Sequence, residues 1–321
     1  MPEDPTTEDP MAATIETDTA FDALVRRLSR QSVERHFDAF ADVDWDAEAL
    51  QIDPGGARWA AVTLDPLTDT GWYRRQPPEI QARIGLHRIA TAMRTGWEFE
   101  NVLQRGLLAY AFWLPNHRPE FRYLHHEVAE ESHHTMMFQE FVDRCGLPVD
   151  GLPARMKVTA ELLVAPFARI FPPLFFMFVL GGEDPIDYVQ RQRLRAGIAH
   201  PLVERIVRIH VTEEARHLSF ARHYLKRRVP QLSRFRRAEL AVGAPLILAA
   251  MAQMMLRPSR QIVADYAIPA SVLDLAYTYN PEHRAATVES LQKVRRLCEE
   301  VGLLTPAYRR LWRVLGLGSG T

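Results

Sequence analysis

Two short segments carry side chains able to hold metal ions. Val128-Ala129-Glu130-Glu131-Ser132-His133-His134 and Val211-Thr212-Glu213-Glu214-Ala215-Arg216-His217 match at the valine, at both glutamates and at the final histidine, 83 residues apart. Each contains a Glu-x-x-His pair, Glu131/His134 and Glu214/His217. Residues three apart on an α-helix are surface neighbours, so a carboxylate and an imidazole on one helix reach the same metal pair. That donor set suits iron or manganese and needs no thiolate. One such pair is ordinarily a solvated surface feature; two in register point to a shared construction.

If the construction is that of ferritin-like bundles, two further helices must each supply a lone glutamate. Glu100 lies 31 residues before Glu131, and Glu183 lies 31 before Glu214, so the 83-residue offset holds for the whole unit. Glu98 competes with Glu100, but Glu100 shares an inward stripe with Met93 and Leu107, each seven residues away. Gly182 and Pro185 flank Glu183 and place it at the start of a helix. His210 lies four residues before Glu214 and seven before His217, on the same face; the first segment has Glu127 at that position. His210 is therefore a third histidine ligand or a partner that holds a carboxylate. The candidate metal ligands are Glu100, Glu131, His134, Glu183, His210, Glu214 and His217. His125, His126 and His133, and the remaining histidines, have no partner spacing and read as surface or core residues.

These side chains need helices to carry them. Apolar periodicity, proline and glycine predict helices over Ile80–Trp113, Glu120–Cys145, a proline-interrupted Ala154–Leu180, Glu183–Gly197, Pro201–Val229, Arg236–Leu256, Pro281–Val301 and Thr305–Leu315. Strand signals are nearly missing, so the fold class is all-α: a ferritin-like four-helix bundle with additional flanking helices. Residues 1–20, acidic and rich in proline and threonine, read as a disordered tail with no secretory signal; 21–316 form one helical domain and 317–321 a C-terminal tail. Leu162–Leu180 contains Arg169 and three prolines, and Leu240–Leu256 is short and holds Gln253, so both read as buried bundle helices and no membrane span is expected. With 39 Lys+Arg against 40 Asp+Glu there is no basic footprint for nucleic acid. Two cysteines, Cys145 and Cys298, make no metal-binding spacing or bridge framework, which suits a cytoplasmic protein.

Glu100-Asn101-Val102-Leu103-Gln104-Arg105-Gly106-Leu107-Leu108, the Glu-Glu-Ser-His-His segment and His210-x-x-x-Glu214-x-x-His217 resemble the p-aminobenzoate N-oxygenase (AurF-type) di-iron family. The segments His36–Trp45 and Glu300–Leu304 with Leu311-Trp312 extend the resemblance to about residues 20–316. It implies two iron ions, with manganese or a mixed pair possible. Glu100 and His134 would sit on one, Glu183, His210 and His217 on the other, and Glu131 and Glu214 would bridge. It also implies a monooxygenase that activates dioxygen through a peroxo intermediate and oxidises the nitrogen of an arylamine. No flavin, nicotinamide or iron–sulfur motif is present, so a reductase or ferredoxin is expected as electron donor. Three other readings compete: carbon hydroxylation or acyl desaturation on the same bundle, ferritin-type iron or peroxide handling in a cage, and a structural bundle without metal. The exposed outer faces leave room for a homodimer.

Overall fold

A computed structural model describes residues 10–61, 65–197 and 199–318, without the side chains of 10–17 and 61. No strand occurs among the described residues. The long helices are α1 (Pro10–Glu34), α2 (Pro78–Ala111), α3 (Pro119–Cys145), α4 (Ala154–Ile170), α5 (Pro172–Ala196), α6 (Pro201–Arg228) and α7 (Arg234–Met255). Two shorter ones, α8 (Pro281–Ser290) and α9 (Gln292–Glu300), follow. Proline opens α2, α3, α5, α6 and α8, where its missing N–H has no intrahelical partner to lose and its fixed φ suits the first turn.

The bundle consists of two helical hairpins. α2 packs along α3, α5 packs along α6, and the hairpins meet through α2 on α5 and α3 on α6. The long crossover that ferritin-like folds require between hairpins contains α4, which lies on α2. α7 covers α5, and α1 covers α3 and α6. One large apolar core fills the α1/α3/α5/α6/α7 side, and a second joins the segment from Ala39 to Trp59 to α2, α3 and α6.

Several boundaries differ from the sequence reading. α1 begins at Pro10, so the part of the expected tail from 10 to 20 is helical, whereas 1–9 lie outside the described residues. Leu317, expected in the C-terminal tail, is buried in the core; 319–321 lie outside the described residues. The largest correction concerns Glu183. It does not start a helix but sits in the middle of α5, which runs unbroken through Gly181-Gly182 and Pro185. A Cβ on Gly182 would come within 2.0 Å of the Phe99 ring, so this glycine serves close packing of α5 on α2 and does not end a helix.

The two apolar stretches are not wholly buried either. α4 has only Ala168 buried and presents Leu162, Leu163, Phe167 and Ile170 outward. α7 packs on α5 with Leu240, Ala244 and Leu248 while Phe235, Val242 and Leu246 stay exposed. The stretch Arg234–Asp265 is long and apolar enough to cross a membrane by length and composition, and a single such helix does not show a span.

Candidate metal centre

Glu100 projects from α2, Glu131 and His134 from α3, Glu183 from α5, and His210, Glu214 and His217 from α6. All seven are buried in the bundle interior. Their side chains form two tight groups: Glu100, His134, His210 and Glu214 in one, Glu131 and His217 in the other, together with Glu127. Glu183 joins neither group, although it lies within electrostatic reach of Glu214, Glu131 and His217. The side chain of His210 thus lies with Glu100 and His134 rather than with Glu183 and His217.

Glu131 and Glu214 occupy the middle. The two oxygens of Glu131 face different histidines, Oε2 lying 3.0 Å from His134 Nδ1 and Oε1 lying 3.1 Å from His217 Nδ1. Glu214 Oε1 is 3.0 Å from His217 Nδ1 and 3.6 Å from His134 Nδ1. Both imidazoles therefore turn Nδ1 toward the shared carboxylates.

Two residues that the sequence reading left without a role explain that orientation. His134 Nε2 donates to Glu213 Oε2 on α6 at 2.9 Å, and His217 Nε2 donates to Glu130 Oε2 on α3 at 2.7 Å. The first glutamate of each Glu-Glu-x-x-His segment thus holds the histidine of the other. With the proton on Nε2, the Nδ1 lone pair is free for a metal. Arg216 Nη2 lies 2.7 Å from Glu130 and 3.5 Å from Glu213, balancing the pair of carboxylates. The Phe37 N–H donates to Glu213 Oε1, so the segment after α1 closes over this network. The signal was present in sequence, since both glutamates repeat in register, but only the packed helices show which histidine each one meets.

His210 is held differently. Its Nδ1 donates to Gln190 Oε1 on α5 at 2.9 Å, which leaves Nε2 facing Glu100 Oε1 at 3.4 Å and Glu214 Oε1 at 3.9 Å. Its ring packs at a tilt against those of His134 and Phe138. At the equivalent position of α3, Glu127 is buried next to Tyr123 and is grouped with Glu131 and His217.

A cavity of about 1550 Å³ opens beside this cluster, with Glu100, Glu183, Gln190 and His210 in its wall.

A family model described as p-aminobenzoate N-oxygenase AurF matches residues 18–302, most of the chain. The chain belongs to the AurF family. Two curated relatives, uncharacterized protein MT0908 of Mycobacterium tuberculosis (strain CDC 1551 / Oshkosh) and uncharacterized protein Mb0909 of Mycobacterium bovis (strain ATCC BAA-935 / AF2122/97), are each 39% identical over 298 residues. The match covers 92% of this chain and 87% of theirs. No solved structure matches the chain.

The donor set fits the two metal ions of an AurF-family oxygenase. Glu100 Oε2, Glu127 Oε2 and Glu214 Oε2 are buried oxygens without a hydrogen-bond donor. Buried orphan acceptors are costly, and a cation between them is the simplest partner. Burial, followed by the neighbouring carboxylates, pushes Glu100 and Glu183 well above the ordinary carboxylate range, and burial takes Glu127 up to about 8. Burial also opposes a charge on His134, yet its contacts with Glu131 and Glu213 outweigh this and raise it to about 10. Glu130 shows the opposite balance: burial raises it, but His217 and Arg216 bring it down to about 2. Without cations, so many carboxylates can share one interior only by retaining protons on themselves or on the histidines; two divalent ions would replace those protons.

Proposed function

We propose that this protein is a di-iron monooxygenase that transfers one oxygen atom of dioxygen to the nitrogen of an arylamine. The observation that carries this reading is the donor set: two shared glutamates between two crossed Glu–His pairs, with His210 aimed at the same cluster. Glu100, Glu131, His134, Glu183, His210, Glu214 and His217 would hold the metals, with Glu131 and Glu214 shared between them, and Glu127 stands close enough to join them. Two iron ions held there would supply the activation of dioxygen.

The chain's own residues set the conditions for that chemistry. Glu130 and Glu213 fix the tautomer of two histidines, and Gln190 fixes that of the third. Phe99 and Phe138 line the cavity beside Glu100 and present apolar surface there. The second oxygen atom leaves as water, using two electrons and two protons, so an outside reductase or ferredoxin is required. The cavity is large and carries arginines, which supports a substrate with a polar anchor more than a purely apolar acyl chain.

Anaerobic loading with ferrous iron, followed by metal analysis and exposure to dioxygen with a panel of arylamines and acyl thioesters, tests the proposal. The expected result is two iron ions per chain and hydroxylamine, nitroso or nitro products from an arylamine. Turnover of acyl thioesters alone would move the assignment to oxidation at carbon.

A further inference from the structure

The far end of the cavity holds cations that the metal centre does not use. Phe99 of α2 lies over Gly182 of α5, and Phe175 of α5 lies over Gly106 of α2, which fixes an antiparallel register between these helices. The same register carried toward the start of α2 sets Arg88 opposite Arg193. Arg193 is ten residues beyond Glu183 on α5, about 15 Å along the axis, and shares its face through Ile186 and Gln190. Arg88 is twelve residues before Glu100 on α2, about 18 Å away. Both arginines line the same cavity as Glu100 and Glu183.

The two cations differ in one respect. Arg88 is committed: its Nε donates to Asp65 Oδ2 at 2.6 Å, and Asp65 also accepts from the Tyr277 hydroxyl. Arg193 has no ion pair or hydrogen bond among the described residues, and its Nε is buried without an acceptor. Burial, followed by Arg88, pushes its guanidinium down to about 10 against the opposing pull of Asp65. Arg257 lines the same end, and its Nε also lacks an acceptor. Asp65, already hydrogen-bonded by Arg88 and Tyr277, acts on Arg193 only from a distance; a half-buried guanidinium with no acceptor at its buried Nε fits a bidentate anion. Between this end and the metal centre the wall is largely apolar, with Ile89, Met93, Ile186 and Val207 beside Thr91 and Gln190.

We propose that Arg193, seconded by Arg257, binds a carboxylate at the end of an elongated substrate whose oxidised atom lies at Glu100 and Glu183. The substrate class is an elongated aryl or alkyl-aryl acid with an apolar middle, because the backbone positions of Glu183 and Arg193 lie about 15 Å apart along α5. p-Aminobenzoate, a single ring with its two groups at opposite ends, is much shorter than this backbone separation. This deepens the oxygenase reading and rests on it for the nature of the oxidised end only.

The test is titration calorimetry on the anaerobic iron-loaded protein with p-aminophenylhexanoate, its methyl ester, p-aminobenzoate and amine-free phenylhexanoate. The long acid is expected to bind about tenfold or more tightly than its ester and than p-aminobenzoate. Arg193→Gln removes the acid's advantage while leaving the ester unchanged, and Arg193→Lys keeps part of it. Phenylhexanoate keeps the acid preference whether or not any amine is oxidised, so failure of N-oxygenation would sink the oxygenase reading and spare the anchor. Equal affinity for acid and ester, no saturable binding of the acid, or a preference that survives Arg193→Gln would overturn the proposal.

Discussion

His134 of α3 is held by Glu213 of α6 at 2.9 Å, and in the reverse direction His217 of α6 is held by Glu130 of α3 at 2.7 Å. The two contacts cross the bundle, so each Glu-Glu-x-x-His helix orients the histidine of the other. Neither helix can slide or turn without misdirecting an imidazole on its neighbour. Glu213→Gln keeps the shape but replaces a charged acceptor with a neutral one and weakens the hold on the Nε2 tautomer. Iron affinity is expected to fall by about tenfold to a hundredfold, and Glu130→Gln should do the same. Equilibrium dialysis of ferrous iron against a competing chelator measures this; wild-type affinity in both variants would remove the orienting role.

Phe99 fits over Gly182 so closely that a methyl group there has no room. Gly182→Ala must push the ring or separate α2 from α5, at a cost of about 1–3 kcal/mol. Urea denaturation of the metal-free protein reads that cost directly. Pairing the substitution with Phe99→Leu should recover part of the loss, because the two residues share one contact.

This contact also shows where the sequence stopped being informative. That the Glu-x-x-His pairs, Glu100 and His210 would face one buried interior was legible because their spacing is a local property of a helix. The proline-led start of α6 was legible for a similar reason, since proline acts on its own turn, whereas α2 and α3 begin at prolines one or two residues ahead of their expected starts. Gly181-Gly182 carries the local signature of a break, and only the Phe99 ring on another helix reveals that it is a packing surface. The roles of Glu130 and Glu213 depend on which helices become neighbours, and the inward aim of Arg193 depends on the cavity between α2 and α5. Those are properties of the assembled bundle.

Metal loading should displace protons. Burial lifts Glu127 to about 8 in the metal-free protein, so at pH 7 it is largely protonated, and His134, at about 10, is charged. A carboxylate or imidazole that binds a metal gives up its proton. Adding ferrous iron to weakly buffered, oxygen-free protein at pH 7 is therefore expected to acidify the solution and to raise the melting temperature. His210→Ala should lower iron content or alter the visible spectrum of the oxidised protein, and Gln190→Ala should do so more weakly, because Gln190 acts only by holding the ring. Binding without proton release would show that the ligands are already deprotonated, and an unchanged His210→Ala spectrum would remove that residue from the centre.

A histidine away from the metals gives a separate handle on acid stability. His200 precedes α6, where its Nδ1 accepts from the Leu202 N–H and its ring stacks on Trp59 at 4.3 Å. An acceptor at Nδ1 requires that nitrogen to be unprotonated, and burial, followed by Arg58, lowers the residue below its ordinary value. When a histidine titrates lower in the folded chain than near 6.5 in the unfolded one, the unfolded state takes up the proton first. Stability is then unaffected above about pH 7 and declines as pH falls through 6.5 toward the folded value. Asn at this position retains a helix-capping acceptor and has no proton to gain. The difference in melting temperature between wild type and His200→Asn should therefore shift in favour of the variant between about pH 7 and pH 5, while every other titrating group contributes equally to both. A difference that stays constant across that range would show that His200 titrates alike in the folded and unfolded chain.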